Sequence, residues 1–297
     1  MPQPDGGTDI FESQRPRLLR LAYRMLGSMS EAEDIVQDAW LRWQRQDRSN
    51  IQSPPAFLSR IVTRLCLDAV SSARARRETY FGTWLPEPMV DTPDEPDRDD
   101  LTLTLMMALE RLSPLERAAF LLHDVFGVAL DEVAATLGRE APAVRQLAVR
   151  ARKHVQDARP RFPVADDDGA RIASAFFDAS RSGDIDTLGR LLAKDVVLQS
   201  DGGGKVIAFR NPIMGLARVL RLYRGLRRKL GVQPAEPFLP LRIDGLPGYA
   251  SRDRGDVLQT TALEIENGLI TRIYITRNPD KLGRIAQRMS AAQASVH

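Results

Sequence analysis

Residues Leu130 to Val155, LDEVAATLGREAPAVRQLAVRARKHV, decide the fold of the first half of this chain. The apolar residues of the first part recur at helical spacing and predict one buried helix face: Leu130, Val133, Ala134 and Leu137. Gly138 follows, and glycine readily takes the left-handed conformation that ends a helix. Pro142 then stands where a second helix begins, because the missing N–H of proline costs no hydrogen bond there. The pattern predicts two helices joined by a tight turn.

The second helix of this pair is predicted to bury one stripe of residues and to expose another. The buried stripe is Val144, Leu147, Ala148, Ala151 and Val155. The exposed stripe is Arg145, Gln146, Val149, Arg150, Arg152 and Lys153. Arg and Gln can bond two edges of one base, and Lys suits phosphate. The pattern indicates a DNA-binding helix-turn-helix, whose second helix enters the major groove. The alternative is an ordinary helical hairpin with a solvated face, although such faces usually carry both charge signs.

Composition limits the class of protein. A chain of 297 residues with 43% hydrophobic and 27% charged residues is typical of a soluble protein with two or three small domains. The 42 basic and 39 acidic residues leave too little net charge to indicate a partner. Cys66 is the single cysteine, which excludes an internal disulfide and fits a reducing compartment. Because no membrane-spanning apolar run and no signal-peptide pattern is present, we expect a cytoplasmic protein.

Residues 10–79 predict three helices, of which one is acidic and one is basic. In the second, EAEDIVQDAWLRWQ, Ser30 and Glu33 form a predicted capping box at the helix start. Its predicted buried residues are Ile35, Ala39 and Trp43, and its outward residues are Asp34, Gln37, Asp38 and Arg42. The third helix runs through AFLSRIVTRLCLDAVSSARARR and carries Arg60, Arg64, Asp68, Arg74, Arg76 and Arg77. By itself, this composition indicates an α-helical domain that is able to bind nucleic acid.

Three motifs in order now resemble a known family. The run AEDIVQDAWLRW, the run PPAFLSRIVTRLCLDAV with its trailing arginines, and the helix-turn-helix are similar to bacterial RNA polymerase sigma factors of the extracytoplasmic-function group, in the sigma-70 family. The resemblance covers about the first 160 residues. It implies that residues 10–79 are sigma region 2 and that residues 104–159 are sigma region 4.

The resemblance also implies which residues bind which partner. The outward residues of the acidic helix, Asp34, Gln37, Asp38 and Arg42, would bind the β′ clamp helices of core RNA polymerase. The polar residues of the third helix would engage the −10 element of promoter DNA: Arg60, Arg64, Asp68, Arg74, Arg76 and Arg77. The exposed stripe of the helix-turn-helix would read the −35 element, and region 4 would contact the β flap. The chain carries Arg64 where the family often has Asn.

Residues 80–103 form a predicted linker that is rich in proline and acidic residues. Tyr80, Phe81 and Trp84 are large apolar groups that a plain linker would not normally leave in water. The motif WLPEP, which includes Trp84, Leu85 and Pro86, resembles a signature of sigma factors with an extra C-terminal domain, the sigma-J-like proteins. We interpret the acidic end of the linker as a mimic of nucleic-acid charge.

Residues 168–282 predict an α+β domain. Two helices that meet at Gly183, a strand, a long amphipathic helix and four antiparallel strands follow one another, and residues 283–297 form a predicted tail. This order resembles the SnoaL-like, NTF2-like cone, in which helices wrap a curved sheet with an interior pocket. The expected fold is thus two all-α domains followed by an α+β cone. The resemblance makes two motifs regulatory: DGGGK (Asp201, Gly202, Gly203, Gly204, Lys205) and NPDKL (Asn278, Pro279, Asp280, Lys281, Leu282).

No catalytic residue, metal site or cofactor is predicted. Enzymes of the cone fold often use an Asp and His pair as acid and base. The histidines of the chain are His123, His154 and His297, and none of them lies in the cone. Two readings stay open: one of Asp195, Asp201 and Asp244 acts alone, or the DGGGK glycines hold an anion beside Lys205.

We interpret the chain as an alternative sigma factor that directs promoter-specific initiation, with the cone as a built-in regulator. Such a protein needs core RNA polymerase and promoter DNA, and it requires no dedicated anti-sigma protein and no membrane. The alternative is a helix-turn-helix regulator with a ligand-binding or enzymatic cone. The acidic helix at 31–44 separates the two interpretations, since a repressor does not need a surface for the polymerase.

Overall fold

The computed structural model describes residues 6–49, 51–78, 80–91, 102–156, 165–231, 238–253 and 256–294. The chain divides into two compact units. The first comprises Met1–Thr79 and Leu105–Ala158, and the second comprises Tyr80–Thr104 and Arg159–His297. The first unit is helical, and the second is a sheet packed against helices, so the predicted order of all-α domains followed by an α+β domain is confirmed.

The helices of the first unit come in two groups along the chain. The first group is α1 (Gly6–Leu26), α2 (Met29–Gln44) and α3 (Pro54–Glu78). The second group is α4 (Leu103–Leu109), α5 (Pro114–Phe120), a π-helical turn (Leu121–Val125), α6 (Leu130–Leu137) and α7 (Ala141–Val155). The boundary between the two units falls inside α4, after Thr104. No helix in the described part of the chain is long and apolar enough to cross a lipid bilayer.

Helix α2 begins earlier than the sequence predicts. Its N-cap is Ser28, whose hydroxyl accepts the backbone N–H of Glu31, so the predicted capping box at Ser30 and Glu33 is wrong. Ser28 takes extended backbone angles directly after the left-handed Gly27, and this geometry suits an N-cap. The buried face of α2 is Ala32, Val36, Ala39 and Trp43, whereas the predicted Ile35 is half-buried.

The two helical groups pack together within the first unit. Helix α3 contacts α5 and α6, and α1 contacts α5. Arg117 of α5 is buried and donates to the carbonyl oxygens of Met25 (2.7 Å) and Leu109 (3.1 Å). Arg17 of α1 donates to the carbonyl oxygen of Phe126 at 3.0 Å. The bonds of Arg117 to Met25 and of Arg17 to Phe126 join the two groups, and the bond of Arg117 to Leu109 lies within the second group. Each bond satisfies a carbonyl at or beside a helix end.

The second unit is one mixed sheet with helices. Its elements are α8 (Asp166–Ser182), α9 (Ile185–Leu191), β1 (Leu192–Asp201), β2 (Ile213–Met214), α10 (Leu216–Leu230), β3 (Leu239–Ile243), β4 (Leu246–Asp253), β5 (Val257–Glu266), β6 (Leu269–Thr276), a 3₁₀ turn (Pro279–Lys281) and α11 (Gly283–Ala294). The segment predicted as a tail therefore contains a helix. Ile285 and Met289 of α11 are buried against Ala250 of β4.

The strand order is β2-β1-β6-β5-β4-β3. The predicted antiparallel meander of the last four strands is confirmed. The sequence did not predict that β1 pairs with β6 in parallel, with Asp201 opposite Thr276. The apolar core lies between the sheet and helices α8, α9 and α10, and includes Phe176, Leu198, Val219 and Ile273.

Candidate nucleic-acid interface and linker anchor

Helices α6 and α7 form the predicted helix-turn-helix. Gly138 ends α6 in the left-handed conformation (φ 61°, ψ 42°), as its position in the sequence predicts. Pro142 lies in the first turn of α7. The predicted buried stripe of α7 is buried in full: Val144, Leu147, Ala148, Ala151 and Val155. Burial of this stripe fixes which side of α7 faces outward.

The outward side of α7 is the recognition stripe, defined here as Arg145, Gln146, Val149, Arg150, Arg152 and Lys153. All six side chains are exposed. Val149 is 55% exposed. Its apolar side chain could contact the methyl group of a thymine in the major groove. The stripe is therefore a continuous face that presents cations, one amide and one apolar group.

Two cations of the recognition stripe are paired with carboxylates of neighbouring helical segments. Nε of Arg150 lies 3.1 Å from Glu116 of α5, and Nε of Arg152 lies 2.6 Å from Asp124 of the π-helical turn. The Ser113 hydroxyl donates to Glu116 and lowers the pKa of its carboxyl below the ordinary value, so Glu116 stays ionised beside Arg150. Within the described residues, Arg145 and Lys153 make no ion pair, so they are the cations of the stripe that are free to meet phosphate or base.

The predicted polymerase surface lies on the outward face of α2. Asp34, Gln37, Asp38 and Arg42 are all exposed, and Leu41 beside them is 42% exposed.

Helix α3 carries the predicted −10 residues, but part of this face is packed against region 4. The Arg64 Nε donates to the carbonyl oxygen of Thr136 in α6 at 3.4 Å. Arg60 is half-buried, and its Nε, which is inaccessible to solvent, has no hydrogen-bond partner among the residues that the structure describes. Asp68 is exposed. The predicted side chains of Arg74, Arg76 and Arg77 lie outside the described residues.

In the second unit, Asp201 of the DGGGK motif binds the segment that follows region 2. Asp201 is fully buried at the end of β1. Its carboxylate accepts hydrogen bonds from the Tyr80 hydroxyl (2.6 Å), the Leu85 backbone N–H (2.9 Å) and the Lys281 ammonium (2.8 Å). We call Asp201, Tyr80, Leu85, Asn278 and Lys281 the linker anchor.

The NPDKL motif completes the linker anchor. The Asn278 amide donates to the Tyr80 hydroxyl at 2.8 Å, and Lys281 also donates to the Leu85 carbonyl oxygen at 2.5 Å. The Lys281 ammonium lies 4.4 Å from the centre of the Trp84 ring, within range for a cation–π interaction. WLPEP, DGGGK and NPDKL therefore meet at one cluster.

The glycines of DGGGK permit a close approach of the backbone to this cluster. Gly203 has a positive φ of 63°, and a Cβ there would lie 2.4 Å from the Asn278 side chain. A Cβ on Gly202 would lie 2.1 Å from the Val206 carbonyl oxygen. The Lys205 ammonium is bound by Asp280 at 2.6 Å, so the predicted alternative of an anion beside Lys205 meets an existing carboxylate.

The linker continues from the anchor along the edge strand of the sheet. Val90 forms an antiparallel bridge with Ile243 of β3. The Asp244 carboxylate accepts the Met89 N–H at 3.2 Å, and the Asp244 N–H donates to the Met89 carbonyl oxygen at 2.9 Å. The sequence did not predict this contact, because it indicates Asp244 only as a candidate for acid–base work.

The cone contains a partly open cavity of about 230 Å³. Its wall includes Phe177, Leu198 and Tyr249, together with the polar residues Arg181 and Arg277. Asp195, Asp201, Asp244 and Lys205 do not line it. Asp195 is exposed, and Asp201 and Asp244 bind the linker, so the sequence candidates for acid–base work are not gathered at the cavity. Among the described residues, no group of three or more His, Cys, Asp or Glu side chains could hold a metal ion.

Known protein families match both helical groups of the first unit. The family model of Sigma-70 region 2 matches residues 10–76, and that of Sigma-70, region 4 matches residues 102–155. The ECF RNA polymerase sigma factor SigJ of Mycobacterium tuberculosis is 39% identical over 288 residues, which cover 91% of each chain. The probable ECF RNA polymerase sigma factor SigI of the same species is 32% identical and covers 95% of this chain and 97% of its own.

A solved structure agrees with these sequence relatives. The crystal structure of the Mycobacterium tuberculosis extracytoplasmic function sigma factor SigJ matches with a TM-score of 0.76 at 35% identity, and the match covers 93% of this chain and 98% of that chain. The resemblance inferred from three short motifs is thus confirmed over nearly the whole length. The chain belongs to the extracytoplasmic-function RNA polymerase sigma factors of the sigma-70 family.

Proposed function

We propose that this sigma factor acts in the cytoplasm through three surfaces, and that the cone regulates it by holding the linker. The recognition stripe of α7 reads the −35 element, and region 4 contacts the β flap. The outward face of α2 binds the β′ clamp helices through Asp34, Gln37, Asp38 and Arg42. Helix α3 engages the −10 element as the strands part, since Arg can stack on unpaired bases and bind phosphate.

The packing of α3 against α6 supports a closed form of the sigma regions. Positions −35 and −10 are about 25 base pairs apart, or roughly 85 Å of duplex at ~3.4 Å per base pair. Two helices in direct contact cannot lie on both elements at once. The Arg64 hydrogen bond to Thr136 must therefore break before both elements are occupied.

The regulatory proposal rests on the linker anchor. The anchor limits how far region 2 and region 4 can separate. Residues 79 to 102 separate α3 from α4, and these 24 residues extend to at most about 80–86 Å. With residues 80–91 held on the cone, the chain length left between the docked segment and α4 is that of residues 92–102, which is at most about 35–40 Å. Docking of the linker therefore restrains the separation that promoter binding needs, and its release favours the open form.

In this arrangement, the domain that restrains the sigma regions belongs to the same chain as those regions. We propose on this basis that no dedicated anti-sigma protein is required, that the cone performs no catalysis, and that no cofactor is bound. The carboxylates considered for catalysis support this proposal, since Asp201 and Asp244 are engaged with the linker.

Holoenzyme formation tests the assignment of α2. Asp34 and Asp38 are replaced by Ala in the full chain, and binding to purified core RNA polymerase is measured by fluorescence anisotropy. A matched control replaces Asp167 and Asp178, exposed carboxylates of α8, with the same change in net charge. We expect a loss of affinity of tenfold or more for the α2 variant, since a buried interfacial charge pair is worth about 2–5 kcal/mol when broken. Equal affinity of both variants would refute the assignment.

A further inference from the structure

Helix α10 of the cone carries a basic face that the proposed function does not use. The helix LARVLRLYRGLRRKL contains six basic residues and no acidic residue: Arg218, Arg221, Arg224, Arg227, Arg228 and Lys229. All six side chains are exposed. A solvated helix face usually mixes both charge signs, and α8 of the same unit does so. The basic face of α10 therefore calls for a different explanation.

Most charges of this face have no carboxylate partner in the described part of the chain. Arg218, Arg221, Arg224 and Arg228 make no ion pair or hydrogen bond within the described residues, in contrast to Arg150 and Arg152 of the recognition stripe. Arg227 is excluded from this set because its Nη1 donates to the Gly183 carbonyl oxygen at 2.9 Å. We call the four unpaired arginines the α10 face.

The spacing of the α10 face suits a row of phosphates. Residues three and four apart lie on the same side of a helix, so these arginines form one stripe. Arg218 and Arg228 are ten positions apart, which is about 15 Å along the helix axis at ~1.5 Å per residue. This length corresponds to roughly four to five base pairs of duplex, each with a phosphate on both strands.

The opposite side of α10 excludes insertion into a lipid surface. Val219 and Tyr223 are buried in the core of the cone, and Leu220 and Leu222 pack against it. An interfacial membrane helix needs its apolar side for the acyl chains. The core occupies most of that side, and Leu226 is only 37% exposed, so α10 presents mainly cationic groups, which favour a polyanionic partner.

We propose that the α10 face binds the phosphate backbone of duplex DNA, as a sequence-independent contact additional to the recognition stripe. Duplex DNA is the partner that the charge pattern and the family membership both favour, since a sigma factor works on promoter DNA. The contact adds affinity without adding base discrimination, because phosphate contacts position a protein and base contacts specify the sequence.

Salt-dependent binding tests the proposal on the full chain. Arg221, Arg224 and Arg228 are replaced together by Gln, and binding to a 30-base-pair duplex of arbitrary sequence is followed by fluorescence anisotropy between 50 and 300 mM KCl. Each lost phosphate contact lowers the slope of log K against log salt by about 0.9. We expect a slope shallower by about 2 to 3 and an affinity at 0.1 M salt that is lower by roughly tenfold or more.

A charge-matched control separates the face from net charge. Arg15, Arg171 and Arg288 are exposed on other helices, and their joint replacement by Gln removes the same three charges. The proposal requires that this control keep the parental slope. The proposal is overturned if the α10 variant keeps the parental slope, or if the control loses as much slope as the α10 variant. It is also overturned if the α10 variant still binds the duplex but no longer binds phosphatidylserine vesicles or single-stranded RNA.

Site-directed cross-linking gives an independent readout of proximity. Cys66 is fully buried, so a cysteine introduced by Arg224→Cys is the reactive thiol for a photo-activated cross-linker. We expect the Arg224→Cys chain to cross-link to the duplex and the Arg171→Cys chain not to do so. Absence of a cross-link at both positions, under conditions where the chain binds the duplex, would contradict the proposal.

Discussion

Replacing Asp201 by asparagine is expected to release the linker from the cone. The carboxylate of Asp201 accepts from the Tyr80 hydroxyl, the Leu85 N–H, the Gly203 N–H and the Lys281 ammonium. Asparagine has nearly the same shape but keeps one acceptor oxygen, and its NH₂ group would face donors. The substitution also leaves the ammonium of Lys281 without its buried counter-charge.

The magnitude follows from burial of the ion pair. Breaking a buried pair by removing one partner costs about 3–5 kcal/mol. Asp201 is fully buried, whereas Lys281 keeps 13% of its side chain exposed, so the lower end of that range applies. We expect a loss of about 3 kcal/mol in the free energy that holds the linker on the cone.

Hydrogen exchange at the Leu85 amide measures this free energy directly, because its N–H donates to Asp201. Since each 1.4 kcal/mol corresponds to a factor of ten, exchange at Leu85 should accelerate by about a hundredfold in Asp201→Asn. The matched control is Asp195→Asn on the same strand, where the carboxylate is exposed, and it should leave the rate unchanged.

A double-mutant cycle isolates the pair from other effects. Lys281→Met keeps much of the packing against Trp84 and removes the positive charge that Asp201→Asn leaves without its counter-charge. The double variant should therefore lose less docking free energy than the sum of the losses of the two single variants, by about 1–3 kcal/mol. The reasoning is wrong if the Leu85 amide exchanges at the parental rate in Asp201→Asn, or if Asp195→Asn accelerates it equally.

Three further outcomes follow from particular residues. Gly203→Ala should lower the melting temperature of the cone more than Gly268→Ala does. Both glycines have a positive φ, which costs an alanine about 1–2 kcal/mol of strain. Of the two, Gly203 alone has a side-chain amide, that of Asn278, as close as 2.4 Å to the added Cβ. Ser113→Ala should cost region 4 about 1 kcal/mol in urea unfolding at neutral pH. The Ser113 hydroxyl also donates to the Glu116 carboxylate and lowers its folded-state pKa below 4.5, so this part of the contribution is present above that value and fades as pH falls through the folded-state pKa. The cap bond from the Glu116 N–H does not titrate, so the difference between parent and variant should narrow in acid without vanishing. Arg145→Lys should keep the salt slope of promoter binding but reduce discrimination for the −35 element by about 1–3 kcal/mol. Arg145→Ala should reduce both the salt slope and this discrimination. If Lys and Arg at position 145 give equal specificity, Arg145 does not read a base.

Local periodicity predicted the helix-turn-helix correctly, because the residues that decide it are neighbours in sequence. Gly138 and Pro142 act within one turn of their own backbone, and the buried stripe of α7 follows from helical spacing alone. The capping box at Ser30 was wrong for a local reason as well. Ser28 competes for the same role, and the left-handed Gly27 before it decides the start of α2.

The linker anchor could not be predicted from local pattern, because it depends on the parallel pairing of β1 with β6. That pairing sets Asp201 opposite Thr276, and the Asp201 carbonyl oxygen then accepts the N–H groups of Arg277 and Asn278. The resemblance singled out both motifs. Their meeting at one carboxylate required the sheet order. The ion pairs of Arg150 and Arg152 could not be predicted from local pattern either, because their partners Glu116 and Asp124 lie on other helical segments.

Run-off transcription with purified core RNA polymerase tests the central claim, that docking of the linker on the cone restrains a working sigma factor. The full chain, Asp201→Asn and Asp195→Asn are compared on a promoter selected with the full chain. We expect promoter-dependent transcripts from all three proteins, with Asp201→Asn giving the highest initiation rate and Asp195→Asn matching the parent. Equal rates from all three, or a lower rate from Asp201→Asn with the holoenzyme still formed, would contradict the account.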